Sequence, residues 1–245
     1  MKSFPFHRIG IFLVIAMLAG SMTARVWIAS ARTQAKTPDT AATKTKAPAS
    51  KPADPKTPAT SAGPAFSGNA KAIGQPSAPI TMEIFGDFQC PACRNFFEAS
   101  VKQVIDQYVV PGKVYLVHRD FPLDIHPFAR DAARLANAAA QFGQFEAIER
   151  ALYDKQDEWA TRGNIEEVMA TSFPPAQMKK IRDYEATHIS DINASIERDR
   201  AAGMQRSVNQ TPTVFITYHG KTEALPGGGV DFKLLKNYFD YLLRQ

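Results

Sequence analysis

Hydrophobic positions fall into three regimes along the 245 residues. A charge-free, mainly apolar run extends from Ile9 to Ala24. Residues 32–66 then show no hydrophobic period at all. From residue 67 onward, apolar positions recur at the spacings of strands and helices. "APITMEIFGDF" (78–88) is rich in β-formers and predicts a strand. "PACRNFFEASVKQVIDQYVV" (91–110) places Phe96, Phe97, Val101, Val104, Ile105 and Tyr108 at intervals of three and four, which predicts a helix. Pro91 suits its first turn, where a missing N–H costs nothing, and Pro111-Gly112 ends it. "KVYLVHRDFP" (113–122) alternates as a second strand. Residues 126–206 read as a long helical block, with Asn164 as one cap. Two short strands follow around a turn at His219-Gly220. An amphipathic helix, with Asp231 near its start, closes the chain. The order β–α–β–helices–β–β–α, with no internal repeat, implies an α/β fold. A right-handed crossover makes the first two strands parallel, and the last two form a hairpin.

Charge changes the picture only at the front. Residues 1–66 hold nine Lys and Arg against two Asp and Glu, leaving 20 against 22 for residues 67–245. The overall net charge of +5 therefore belongs to the leader and linker. Nothing in the globular part clusters cations as a nucleic-acid surface does. Lys2 and Arg8 before the apolar run, and Ala29-Ser30-Ala31 after it, have the form of an export signal. Arg25 and Trp27 equally suit the end of a spanning helix over Ile9–Ile28. Residues 1–31 are thus expected to be a signal peptide or a membrane anchor. Residues 32–66, rich in Ala, Pro, Thr and Lys, read as a disordered spacer rather than a lipid-binding patch. Such a chain extends ~3.1 Å per residue and reaches on the order of 100 Å. A spacer of that length makes most sense with one end fixed, which favours the anchor. The folded domain is expected over 67–245, placing the protein outside the cytoplasm.

The chain has two cysteines, Cys90 and Cys93, in Cys-Pro-Ala-Cys where the first strand gives way to the first helix. Free N–H groups and the helix dipole stabilise an anion there and depress a thiolate pKa. Two cysteines so close can open and close a disulfide without refolding the domain. A structural disulfide would normally tie distant segments. A zinc site normally needs four ligands, with His118 and His126 the only supplements in view. Soft thiolates also suit Cu(I), which keeps a tethered copper chaperone as an alternative. A Cys-x-x-Cys beside a βαβ pattern favours redox chemistry.

"DFQCPACRNF", "HRDFPLDIHPFARDAARLANAAAQFGQFEAIERALYDKQ" and "VNQTPTVFI" together resemble the DsbA-like thiol:disulfide oxidoreductases, in particular a membrane-tethered bacterial subgroup. The resemblance covers about residues 70–245. It implies a thioredoxin fold with a helical domain, about 126–206, inserted between the βαβ half and the ββα half. It implies Cys90 as the nucleophile and Cys93 as the resolving thiol, supported by Pro91, Ala92, Thr211 and Pro212. Thr211-Pro212 matches the family's cis-proline loop; Phe88 and Phe96, which flank the cysteines, are candidates either for an apolar substrate rim or for ordinary core packing. The implied partners are cysteine-containing exported proteins and a quinone-linked membrane protein that reoxidises the pair. No cofactor, metal or nucleic acid is expected, and the protein is expected to be a monomer. Oxidation of clients is the expected direction; reduction or isomerisation would use the same cysteines.

Two positions depart from the family pattern. The acid often found six residues before the first cysteine is replaced by Ile84, and Glu83 should point to the opposite face. Proton transfer at Cys93 is then left to water. Ala92 stands where strong oxidants often have His, so the expected potential is less oxidising than the family extreme. Asp87 could influence the surroundings of Cys90 but reads rather as a solvated strand-end carboxylate. Gly227-Gly228-Gly229 lacks the phosphate-loop pattern and is expected to admit a close backbone approach near Cys90.

Overall fold

The computed structural model describes residues 70–245. The expected leader and spacer, and the first residues of the expected domain, lie outside that range. Among the described residues, no helix is long and apolar enough to cross a membrane.

Five strands form one sheet in the order β1-β3-β2-β4-β5. They are β1 (Ala72–Ile73), β2 (Ile80–Gly86), β3 (Val114–Asp120), β4 (Thr213–Tyr218) and β5 (Lys221–Ala224). β2 and β3 are parallel, with Ile84 opposite His118, and the other pairs are antiparallel. The first connection is the helix α1, residues 91–109, as the βα crossover requires. Within it, Phe97–Val101 and Ile105–Val109 are π-helical turns. The insert follows β3 and holds α2 (Ala129–Ala140), α3 (Phe145–Asp154), α4 (Gln156–Trp159), α5 (Ile165–Ala170), α6 (Pro175–Thr187) and α7 (Ile189–Gln205). The hairpin β4–β5 turns at His219 and Gly220, whose φ values of 46° and 75° suit a tight two-residue reversal. The closing helix α8 (Phe232–Leu242) starts on Asp231, which accepts a hydrogen bond from the Lys233 N–H at 2.8 Å. The expected cap Asn164 sits at the start of α5, but its side chain donates to Glu167 rather than capping the backbone.

Alternation in the strands sorts the core. Ile80, Met82, Val114, Leu116, Val214 and Ile216 bury one face against Phe97, Val101, Val104 and Tyr108 of α1 and Leu235 and Phe239 of α8. The insert joins the same core through Ile148, Leu152, Trp159 and Met169. The other face is smaller: Phe85, Phe121, Phe215 and Val208 cluster there. Gly203 of α7 lies close against it, since a Cβ there would stand 2.8 Å from the Phe121 ring. Glu83 points to this second face, as alternation predicts, and pairs with Arg119 and Arg206.

The main departure from the sequence reading is buried charge. Lys71 is 2% exposed and pairs with Asp120 and Asp199, linking the start of the domain to β3 and to α7. Desolvating three charges is tolerable only because they are paired and further hydrogen-bonded. Asn137 donates to Asp120 at 2.7 Å, and the Asp120 N–H to Asp199 at 3.2 Å.

Candidate active site

The turn after β2 aims Cys90 and Cys93 at the β4 end of the sheet. Asp87 builds that turn. Its carboxylate accepts from the Gln89 N–H at 2.7 Å and the Leu123 N–H at 2.9 Å, and sits 2.7 Å from His126 Nδ1. It is 1% exposed, which corrects the expectation of a solvated carboxylate: the segment after β3 folds over it. Gln89 and Gln156 clamp the turn to the insert. Gln89 donates to Ala160 O at 2.8 Å and accepts from the Phe128 N–H at 2.7 Å. Gln156 donates to Phe88 O at 2.7 Å and Cys90 O at 3.1 Å. Their partners are 39 to 71 residues away, and neither glutamine stood out in the sequence.

Cys90 occupies the N-cap position of α1, with extended backbone, and Pro91 takes the first helical position. Both cysteines are free thiols, Cys90 7% and Cys93 3% exposed. They are strongly unlike in chemistry. The neighbouring Cys93 thiol does most to favour the Cys90 thiolate; burial opposes it, but the Thr211 side chain and the backbone N–H groups of Cys93 and Ala92 add to the pull and bring the Cys90 pKa down to about 5. The Ala92 side chain offers no donor, yet its N–H does. Burial pushes the Cys93 thiol well above its usual value, and the adjacent Cys90 sulfur adds to the effect. The Asp87 N–H points at Cys93 Sγ at 3.5 Å. One sulfur is thus built to be a thiolate and the other a thiol.

Thr211-Pro212 is a cis peptide bond and faces the pair. Cys90 Sγ lies 3.6 Å from Thr211 O, and the Thr211 hydroxyl is buried without a partner while Cys90 is a thiol. The glycine run closes behind this loop, as expected. The Gly228 N–H donates to Pro212 O at 3.2 Å. Gly229 has φ +90°, and a Cβ there would stand 2.9 Å from the Phe96 ring. Cys90, Cys93, Pro91, Ala92, Thr211 and Pro212 are therefore brought together.

Phe88 and Phe96 take the core role rather than the rim. They are 1% and 6% exposed, so neither forms an apolar rim for substrates. Phe88 is sealed under the turn against His118 and Tyr153, and Phe96 under Gly229. An exposed apolar hollow of about 370 Å³ instead lies along α8, lined by Leu225, Val230, Leu234 and Tyr238 among others. The two histidines do not turn toward the cysteines as ligands: His118 binds Glu149 and His126 binds Asp87. Among the described residues, no three His, Cys, Asp or Glu gather as a metal site.

A thioredoxin-fold sheet, with a low-pKa thiolate starting its first helix and a cis-proline loop opposite, defines a thiol:disulfide oxidoreductase. The chain belongs to the thioredoxin family, whose model matches residues 67–225, and within it is a DsbA-like oxidoreductase. It is 22% identical over 151 residues to the probable disulfide bond formation protein D of Bacillus cereus, covering 60% of this chain and 69% of that protein. Over 146 residues it is 30% identical to the Na(+)/H(+) antiporter NhaA 1 of Mycolicibacterium gilvum, covering 58% of this chain but 22% of that protein. Among solved structures, α-DsbA1 of Wolbachia pipientis superposes with a TM-score of 0.58 at 24% identity, covering 70% of this chain and 89% of that one. A thioredoxin-like oxidoreductase from Silicibacter pomeroyi superposes with a TM-score of 0.53 at 25% identity, covering 72% and 98%.

Proposed function

We propose that the protein is an exported thiol oxidase, tethered to the cytoplasmic membrane by residues 1–31, which passes its Cys90–Cys93 disulfide to cysteines of exported proteins. The observation that carries the reading is the unequal pair: Cys90 drawn down to about 5 and Cys93 pushed up. A client thiolate attacks Cys90 Sγ, and the Cys90–Cys93 bond breaks onto Cys93. A second client thiol then attacks the mixed disulfide and expels Cys90, a good leaving group because its thiolate is stable. The same stability favours the reduced enzyme and so drives oxidation of the client. A membrane redox partner restores the disulfide. The N-terminal apolar run and the spacer of residues 32–66 support the location, since together they offer an anchor and the reach to meet both partners.

A Cys93→Ser variant tests the direction. Without the resolving thiol, the mixed disulfide at Cys90 accumulates and its partners are identified by mass spectrometry. Secreted proteins with several cysteines are the expected captures. Capture of a single membrane electron donor alone contradicts the oxidase reading and points to a reductase. Stoichiometric Cu(I) binding by the reduced protein, without any disulfide exchange, would replace both by a copper chaperone.

A further inference from the structure

The insert grips the active-site turn through one short helix, α4, and the exchange steps give that grip no part. Trp159 fastens α4 within the insert: it is buried, and its Nε1 donates to Leu152 O at 2.8 Å. Gln156 opens the helix and is 3% exposed. Its amide Nε2 donates twice into the turn, to Phe88 O at 2.7 Å and to Cys90 O at 3.1 Å. Ala160, just past the other end of α4, accepts from Gln89 at 2.8 Å. Asp157 adds an ion pair with Arg94 of α1, but its side chain is exposed and the pair contributes little.

The Cys90 carbonyl is where such a grip matters. Peptide planarity ties the direction of a carbonyl to the ψ of its residue. Cys90 is the N-cap of α1, with ψ 121°. Its carbonyl also accepts the first helical hydrogen bond, from the Arg94 N–H at 3.2 Å. The ring of Pro91 fixes the next φ. The ψ of Cys90 is therefore the soft torsion between its sulfur and the amides of Ala92 and Cys93. Those two amides are among the groups that favour the Cys90 thiolate. The bond to Phe88 O holds the turn two residues earlier in the same way. Phe88 and Cys90 are 1% and 7% exposed, so water has little room to replace the glutamine as donor.

We propose that Gln156 is a positioning residue for disulfide exchange: by holding the Phe88 and Cys90 carbonyls, it sets how the first amides of α1 meet the Cys90 sulfur. The proposal rests on the reading of Cys90 as the attacked sulfur. It gives the insert a part in the chemistry. The thioredoxin half supplies the thiols, the helix start and the cis-proline loop, and the insert fixes the torsion that aligns them. When a client thiol expels Cys90 from the mixed disulfide, the departing thiolate meets amides already in place, and no backbone reorganisation accompanies the step.

Two apolar replacements test this. Gln156→Met and Gln156→Leu both remove the donors and differ in shape, which separates the lost hydrogen bonds from altered packing. Iodoacetamide alkylation of the reduced protein between about pH 4 and about pH 8 reports Cys90, because the Cys93 thiol stays protonated there. In both variants the Cys90 pKa is expected to rise by about one unit, from about 5. In a glutathione titration at about pH 7 the equilibrium is expected to shift about tenfold toward the Cys90–Cys93 disulfide, or about 30 mV less oxidising. Met178→Ala is the control. Met178 is 1% exposed in α6, and its truncation loosens the insert without removing a bond to the turn. It is expected to lower the melting temperature and leave the Cys90 pKa near that of the wild type. A Cys90 pKa that does not rise in either Gln156 variant overturns the proposal, as does a Met178→Ala protein whose pKa moves as far. A wild-type protein that does not exchange with glutathione refutes instead the functional reading on which the proposal rests.

Discussion

Removing the Cys93 thiol tests what holds the Cys90 thiolate. The Cys93 S–H is the largest stabilising contact on that sulfur, ahead of the Thr211 hydroxyl and the first amides of α1. A hydrogen bond to a charged group is worth about 1.5–3 kcal/mol, and one pKa unit corresponds to about 1.4 kcal/mol. Cys93→Ala should therefore raise the Cys90 pKa by about one to two units, from about 5. Cys93→Ser keeps a donor on the same carbon and should leave the value close to that of the wild type. Both variants carry one thiol, so the rate of iodoacetamide alkylation against pH reports Cys90 alone. At pH 6 a thiol of pKa about 5 is about nine-tenths ionised, whereas one of pKa about 6.5 is about one-quarter ionised. The two variants should thus separate clearly in rate at that pH. Should Cys93→Ala inflect at the same pH as Cys93→Ser, the neighbouring thiol is not the main support, and the helix start holds the charge instead.

Three further outcomes follow from the same contacts. Thr211→Val removes a hydroxyl donor from the thiolate, so the Cys90 pKa should rise by less than in Cys93→Ala. The redox potential should become less oxidising by about 30 mV per pKa unit in a glutathione titration. The reduced protein should lose stability relative to the oxidised form on acidification. The folded pKa of Cys90 lies below the ordinary thiol value, so its contribution is full above about pH 9 and vanishes as pH falls through about 5. Melting of both forms across that window measures it, and a pH-independent difference contradicts it. Lys71→Met takes the ammonium from both buried carboxylates, although Arg119 still reaches Asp199 at 3.2 Å, and should cost about 3 kcal/mol in urea unfolding; a cost under about 1 kcal/mol would show that the network is readily rearranged.

Local chemistry was readable in the chain, and long-range closure was not. The strand and helix periods predicted β2, α1, β3, the hairpin and α8, because each buries one face of a regular element. Strand β1 was missed: two residues carry no period. The π turns in α1 were invisible for a similar reason, since they shift the apolar stripe by only one place. Cys90 and Cys93 were visible because their spacing at a strand-to-helix turn marks them, and Thr211 and Pro212 through the family resemblance. Asp87 was misplaced, and the sequence could not choose between rim and core for Phe88 and Phe96, because the segments that bury them come from elsewhere: the segment after β3, the insert and the glycine run. The pairs Lys71–Asp199 and His118–Glu149 span 128 and 31 residues, and no pattern in one sequence joins them. Glu83 was placed correctly because strand alternation is purely local.

The most direct test of the account mixes the oxidised protein with a reduced, unfolded client bearing a single pair of cysteines and follows both by mass. The account predicts that the client gains a disulfide as Cys90 and Cys93 become thiols, through an intermediate in which client and Cys90 are covalently joined. A client that stays reduced while the Cys90–Cys93 disulfide remains intact would contradict it.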